Sequence, residues 1–450
     1  MGARSRLGLL TDLYELTMAA GYLAAGKGQE IATFELSVRR LPANRSFLLV
    51  AGLEQAVEYL LGLSFNGEEI DYLRGLPAFQ YTDPAFFDYL RQFCFTGEVW
   101  AMPEGTVAFA EEPLLRVTAP IPQAQIVETY LMATLSYQTL VATKAARVVE
   151  AAGGRMVVEF GTRRAHGPEA GLTAARASYI AGCAGTSNVL AGQRWGIPVY
   201  GTAAHSWIMA FPEEREAFRC FLDVFREKTI LLVDTYDPEE ATRTAVRLGR
   251  PFRGVRLDSG DLAAQSKAVR QILDAGGHRD AIIMASGDLD ERKIAALLAD
   301  RAPLDAFGVG TELVTSRDAP ALNAIYKLVE IERSGAAEYP AKFSEGKITY
   351  PGKKQVFRFL RDGLYHHDVV ACESEAFAGG EPLLAPVLRA GRLAAPLPSL
   401  QESCERARHS LRLLPEAYRR LTGPEEYPVS RSEALEALLL EVRSRYSGVT

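Results

Sequence analysis

The sequence predicts an α/β protein: a parallel β/α barrel through the middle of the chain, an α/β layer domain before it and a helical segment at the end. Three observations carry this. Six short apolar segments, Met156-Val-Val-Glu-Phe160, Pro198-Val-Tyr200, Ile230-Leu-Leu-Val233, Gly254-Val-Arg-Leu257, Ala281-Ile-Ile-Met-Ala285 and Ala306-Phe-Gly308, start about twenty to forty residues apart with amphipathic helical patterns between them. That is the pattern of successive parallel β/α units. Before them helical and alternating runs are mixed, and after Leu400 the chain is rich in Arg and Glu with a helical period.

Taken in order, Asp12 to Ala25 reads as a helix, Ala32-Thr-Phe-Glu-Leu-Ser-Val38 alternates as a strand, and Leu53 to Leu63 reads as a second helix. Val99 to Ala110 has β character, and Pro120 and Pro122 open a long helical pattern, Ile126 to Ala151, that Gly153-Gly154 stops. Beyond the barrel segments, Tyr339 to Arg358 alternates like a hairpin and carries five basic residues. The expected domains are 1–112 for the N-terminal α/β part, completed by 336–399, then 113–335 for the barrel and 400–450 for the tail.

With 450 residues the chain can bury a sizeable core in two or three domains. Fifty Lys and Arg against fifty-six Asp and Glu leave a net charge of −6, less basic than a nucleic-acid-binding protein. Five scattered cysteines without C-x-x-C spacing argue against a disulfide framework or a zinc site and for a reducing cytoplasm. The apolar stretch Leu7 to Leu10 is too short for a signal peptide, and Arg6 stands where a myristoylation motif needs Ser or Thr. With no apolar run long enough to span a bilayer, neither nucleic acid nor membrane is expected as a partner.

The residues that follow each barrel strand point to chemistry. They are Phe160-Gly-Thr-Arg-Arg164, Gly201-Thr-Ala-Ala-His-Ser206, Asp234-Thr-Tyr-Asp237, Asp258-Ser-Gly-Asp261, Ser286-Gly-Asp288 and Gly308-Val-Gly-Thr311. In a parallel barrel all strand C-termini share one face, so these segments converge on one pocket. Ser286-Gly287 and Gly308-Val-Gly310-Thr311 let backbone N–H groups approach an anion closely, as a phosphate requires. The aspartates suit Mg²⁺ or a developing positive charge, and Asp237 and Asp261 are equally placed to cap the next helices. Arg163, Arg164 and Arg256 suit a carboxylate or phosphate, with a structural ion pair as the alternative. His205 fits a nucleophile or acid/base role better than a core position, His166 less so, and His366-His367 read as exposed loop residues.

These segments resemble the nicotinate phosphoribosyltransferase family. The likeness runs through Thr11-Asp-Leu-Tyr14-Glu-Leu-Thr-Met18, Phe160-Gly-Thr-Arg163-Arg-Ala, Gly201-Thr-Ala-Ala-His205-Ser, Gly254-Val-Arg256-Leu-Asp258-Ser-Gly-Asp261, Phe307-Gly-Val-Gly-Thr311 and Pro351-Gly-Lys-Lys-Gln355, and nothing maps beyond about Pro382. The resemblance implies an irregular parallel β/α barrel of the type II phosphoribosyltransferase kind with a smaller α/β sandwich domain. It implies condensation of nicotinate with phosphoribosyl pyrophosphate, coupled to ATP hydrolysis through a phosphohistidine, here His205, with Mg²⁺ as cofactor. It also implies a homodimer whose subunits complete each other's sites.

On that reading Phe160 and the partner's Tyr14 stack the pyridine ring, Arg163, Arg256 and Thr202 bind its carboxylate, and Ser286, Gly287, Gly308, Gly310 and Thr311 hold the 5′-phosphate. Asp234 and Asp258 lie near the ribose and metal, with Asp261 a further Mg²⁺ ligand. Lys353 and Lys354 meet pyrophosphate or ATP. Ser187, where the nicotinamide-specific relatives are expected to carry aspartate, favours the acid. The alternatives are a nicotinamide enzyme, a non-catalytic nucleotide-sensing relative and a sugar-phosphate isomerase.

Overall fold

A computed structural model of the chain describes residues 7–447, apart from 342, 345 and 346. It forms two compact units, one from Val141 to Pro320 and one from the chain before and after that stretch.

The middle unit is built on six parallel strands, β1 (Met156–Glu159), β2 (Gly185–Thr186), β3 (Ile230–Leu232), β4 (Gly254–Leu257), β5 (Ile282–Ala285) and β6 (Ala306–Val309). They are hydrogen-bonded in the order β2-β1-β6-β5-β4-β3. Their apolar runs follow from burial on both faces, complete along β6 and nearly so along β1 and β5. Helices Pro168–Ile180, Pro238–Arg247, Leu262–Ala275 and Glu291–Ala299 lie between the strands in sequence. Each starts on a recognisable signal. Pro168 and Pro238 occupy first-turn positions where no N–H is needed, and Asp237, Asp261 and Asp290 accept backbone N–H groups of the turn that follows.

Five of the six expected segments are strands. The sixth, Pro198-Val-Tyr200, makes only an isolated parallel bridge from Val199 to Thr186. On its edge opposite β6, β1 pairs with β2, which sequence patterning missed because two residues offer no apolar run to read. Gly185 is required there: a Cβ would sit 2.2 Å from the Pro198 carbonyl oxygen. Among the described residues no ladder joins β3 to the Val199 segment, so the ring of strands is irregular.

The other unit contains a seven-stranded sheet in the order Ala336–Glu338, Ala324–Arg333, Ile31–Val38, Pro113–Pro120, Glu98–Ala101, Ala385–Arg389 and Arg392–Leu393. Phe34, Leu36, Leu60, Phe86 and Leu115 belong to one continuous core with residues of helices Leu13–Ala24 and Leu53–Gly62. Pro113–Pro120 lies in this unit because its partners are Ile31–Val38 and Glu98–Ala101. Where one hairpin is expected over Tyr339 to Arg358, Phe343–Ser344 pairs with Lys347–Ile348, and Lys354–Arg361 begins a second hairpin that is completed beyond it by Leu364–Cys372. The second turns over Asp362-Gly363, both at positive φ (53° and 75°), as a tight two-residue turn requires. Lys342 lies outside the described residues.

His366 and His367 are half-buried in Leu364–Cys372, not in an exposed loop, and Phe359 stacks on the His367 ring at 4.6 Å. The tail is not all helix. Between helices Leu400–Leu413 and Glu433–Ser447, strand Val429–Arg431 pairs in parallel with Leu364–Cys372. No helix among the described residues is long and apolar enough to cross a membrane.

Glu15 gives this unit a pH signature. It is fully buried, and one carboxyl oxygen accepts the Thr129 N–H at 2.9 Å and hydroxyl at 2.6 Å. Burial, opposed by the Thr129 bonds and reinforced by Glu128, pushes its carboxyl up to about 8. Glu15 is therefore protonated in the native chain and ionised in the unfolded chain from about 4.5 to about 8. Across that window the unfolded state binds fewer protons, so stability falls as pH rises and levels off above it. Glu15→Gln should remove this slope, read by urea unfolding at about pH 5.5 and about pH 8. An unchanged slope would place its source elsewhere.

Candidate active site

Arg256, in β4, is the hub of the strand-end cluster. Its Nε donates to Ser286 Oγ at 2.7 Å, Nη1 to Thr202 Oγ1 at 2.8 Å and the Ala203 carbonyl at 3.3 Å, and Nη2 to Asp258 Oδ1 at 2.6 Å. The Ser286 hydroxyl also donates to Asp258 Oδ1, at 2.5 Å. Asp234, just past β3, accepts the Asp258 N–H at 2.7 Å and the Ser259 hydroxyl at 2.8 Å on Oδ2, while its buried Oδ1 has no hydrogen-bond partner among the described residues. Burial alone would raise the Asp258 carboxyl. The hydrogen bonds from Ser286 and Arg256, with His205 nearby, outweigh it and hold the group below the usual carboxylate range.

His205 opens a short helix, His205–Met209, with its ring partly exposed. Nδ1 lies 3.2 Å from Thr235 Oγ1 and Nε2 lies 3.6 Å from Asp258 Oδ2.

Phe160 follows β1 and packs against Val158, Met284 and Ala306, with the Arg256 guanidinium 5.8 Å from its ring centre. Gly308 makes room for that ring, since a Cβ there would come within 2.5 Å of it. Gly161 is equally constrained: a Cβ would meet Val314 Cγ1 at 2.2 Å. Arg163 sits on the next turn, Thr162–Arg164, exposed and with no ion pair or side-chain hydrogen bond among the described residues. Ser187 is half-buried, its N–H bonded to the Glu159 carbonyl at 2.9 Å.

The predicted residues divide by what they already hold. Arg256 and Ser286 are engaged with each other and with Asp258, whereas Arg163 and Arg164 are exposed and hold no ion pair or side-chain hydrogen bond among the described residues. Gly287 has φ of 87° and a Cβ there would lie 1.9 Å from the Asp258 carbonyl, which makes glycine obligatory. Gly310 is the N-cap residue of the short helix Thr311–Val314. The residues that sequence reasoning passed over are Glu159, Thr186, Asn188 and Thr235. The only signal for Glu159 was an acid inside an apolar strand.

Asp261 caps helix Leu262–Ala275 by accepting the Ala264 N–H at 3.0 Å, its alternative reading. Within the Asp234–Asp258 pair, the carboxylate oxygens without a hydrogen-bond donor among the described residues are Asp234 Oδ1 and Asp258 Oδ2. Two hard oxygens suit a Mg²⁺ held chiefly by water and substrate phosphates. Among the described residues no group of three or more His, Cys, Asp or Glu is arranged to hold a metal alone.

Tyr14, Lys353 and Lys354 belong to the other unit. Tyr14 is 44% exposed and its hydroxyl bonds to Glu128, beside an open groove of about 580 Å³ also lined by Tyr326 and Lys327. Lys354 is buried, its Nζ bonded to the Tyr350 and Gly352 carbonyls and to Glu35, each at 2.8 Å. Lys353 pairs with Glu330 at 3.1 Å and keeps partial exposure, which leaves it the freer of the two.

Comparison with known proteins gives this geometry a family. Residues 9–136, 156–345 and 376–439 match, in turn, the nicotinate phosphoribosyltransferase N-terminal domain, the nicotinate phosphoribosyltransferase family and the nicotinate phosphoribosyltransferase C-terminal domain. The last match extends the likeness past the point where the sequence motifs stopped. The chain is 47% identical to nicotinate phosphoribosyltransferase pncB2 of Mycobacterium tuberculosis, covering 98% of this chain and 96% of the relative. It is 39% identical to nicotinate phosphoribosyltransferase of Bacillus subtilis, covering 95% and 93%. The crystal structure of human nicotinic acid phosphoribosyltransferase superposes with a TM-score of 0.85 at 33% identity, over 96% of this chain and 99% of that one. With its strand-end motifs, its fold and its whole length in agreement, the chain belongs to the nicotinate phosphoribosyltransferase family.

Proposed function

We propose that this chain joins nicotinate to 5-phosphoribosyl 1-pyrophosphate, giving nicotinate mononucleotide and pyrophosphate in NAD salvage, with ATP hydrolysis coupled through His205. The observations that carry the reading are an Arg163 without an ion pair among the described residues, one turn from Phe160, and an Asp258 held ionised by Arg256 and Ser286.

The pyridine nitrogen attacks the anomeric carbon, the bond to pyrophosphate breaks with its electrons, and the ring becomes a pyridinium. Phe160 then gains a cation–π attraction of about 0.5–2 kcal/mol. Asp258 faces the positive charge that builds on the ribose, already ionised and needing no rearrangement. Gly287, Gly310 and Thr311 take the 5′-phosphate, and Lys353 the pyrophosphate or ATP. Asp234 and Asp258 would hold Mg²⁺, which would supply positive charge to offset that of the leaving pyrophosphate. Arg163 pairs with the substrate carboxylate, and neutral Ser187 adds no repulsion.

An amide in place of the acid gives up the charge-assisted bonds to Arg163, worth about 1.5–3 kcal/mol, so nicotinate should exceed nicotinamide by about tenfold to a hundredfold in kcat/KM. The test is the purified chain with Mg²⁺ and phosphoribosyl pyrophosphate, supplied with nicotinate, nicotinamide or quinolinate, with and without ATP. Equal use of acid and amide, or no product, would overturn the reading.

The same reading places the reaction in the cytoplasm and makes the chain a homodimer in which Tyr14 of one copy stacks the ring held by Phe160 of the other. The exposure of Tyr14 supports this. Mixing inactive Tyr14→Ala and Phe160→Ala chains should restore activity, because hybrid dimers hold one site with both aromatics. Verified hybrids without activity would defeat the shared site.

A further inference from the structure

Glu159 ends β1 with its side chain completely buried. One carboxylate oxygen accepts the Gly161 N–H and the other accepts the Thr186 hydroxyl at 2.5 Å. Thr186 Oγ1 in turn accepts the Asn188 N–H at 2.9 Å, and Asn188 Nδ2 donates to Thr162 Oγ1 at 3.1 Å. The circuit leaves the Phe160–Arg164 turn, crosses to β2 and the loop after it, and returns to the same turn. Asn188 is itself fixed, since its Oδ1 accepts the Ala191 N–H at 2.9 Å and starts helix Val189–Trp195.

A buried carboxyl with two neutral donors is an unfavourable choice for an apolar strand, where Val would pack and need no partner. Burial raises its carboxyl, and the Thr186 and Gly161 bonds only oppose that rise. The neutral donors also matter for Arg163. No ion pair with Glu159 consumes its charge.

We propose that Glu159 is a positioning residue for the pyridine substrate, setting the separation between the Phe160–Arg163 turn and Ser187 and with it the preference for acid over amide. This rests on the assignment of Phe160, Arg163 and Ser187 to the ring. Glu159 acts through them and need not touch the substrate.

The test compares Glu159→Ala, Glu159→Gln and Thr186→Val by steady-state kinetics with both substrates varied. Glu159→Ala and Thr186→Val should raise KM for nicotinate about tenfold or more, the effect of one buried hydrogen bond, and lower the acid-over-amide ratio by a similar factor. KM for phosphoribosyl pyrophosphate should stay within about twofold. Glu159→Gln accepts from Gly161 and donates to Thr186 Oγ1, so it should lie within about threefold of the unmodified enzyme. A merely structural role would instead lower the melting temperature and move both KM values together, or neither. That result overturns the proposal. If Glu159→Ala does not fold, Thr186→Val, close in volume to the residue it replaces, decides alone. An unmodified enzyme that makes no nicotinate mononucleotide defeats the functional reading; an active one with unchanged KM values in Thr186→Val defeats this inference only.

Discussion

Arg256→Ala is expected to lower kcat/KM by at least about a thousandfold, or roughly 4 kcal/mol. The Arg256 side chain is only 11% exposed, and its guanidinium joins Ser286, Thr202, the Ala203 carbonyl and Asp258. Its removal takes away the cation that helps hold Asp258 ionised and frees the Thr202–Ala203 loop from β4. Asp258 is then a half-buried carboxylate kept in place by the Ser286 hydroxyl and by whatever cation the substrates bring. Breaking such a pair costs more than the pair contributes, because one charge is left without its partner. Arg256→Lys should recover part of the loss, to about a hundredfold deficit, since an ammonium can meet Asp258 but cannot span three loops at once. Steady-state kinetics and thermal unfolding on the same preparations separate lost chemistry from lost fold. Activity of the alanine variant within tenfold of the unmodified enzyme would show that Arg256 is not the organiser of the cluster.

The same residue marks where reading the sequence reaches its limit. The strands of the middle unit were legible because both faces are buried, so Val255, Leu257, Ile283 and Phe307 stand in short apolar runs at regular intervals. That spacing put the ionisable residues at one edge of one sheet. It could not assign partners. Arg256 reads as a free arginine until Ser286 and Thr202, 30 and 54 residues away, are seen to occupy it. Lys354 reads as a loop cation, yet the first strand of a hairpin turns it inward to Glu35, a partner that no local pattern announces. Elements of two or three residues, Gly185–Thr186 and Val429–Arg431, exist only because a longer strand stands beside them, so local propensity carries no trace of them.

His205→Ala is expected to abolish ATP-dependent labelling and ATP stimulation while leaving slow synthesis of nicotinate mononucleotide at high substrate. For phosphoryl transfer the imidazole must be neutral and present a nitrogen lone pair. Thr235 Oγ1 sits at hydrogen-bond distance from Nδ1 and Asp258 only at 3.6 Å from Nε2, which leaves Nε2 the more open nitrogen. On the proposed coupling, Nε2 would bond to the γ-phosphorus as the bond to the departing ADP oxygen breaks, and the ring would become cationic beside Asp258. Without the imidazole that step has no nucleophile, yet Asp234, Asp258, Arg256 and Phe160 remain for the glycosyl transfer. The side chain is 39% exposed, so its loss opens no large cavity, and the melting temperature should move by no more than about 2 °C. A histidine kept only for packing would give the reverse: a lower melting temperature with ATP coupling intact in the folded fraction. Radiolabelled ATP, acid lability of the label and product formation with and without ATP distinguish the two. A folded His205→Ala chain that still takes up label would move the phosphorylated residue elsewhere, with exposed His166 on the loop after Arg164 the next to substitute.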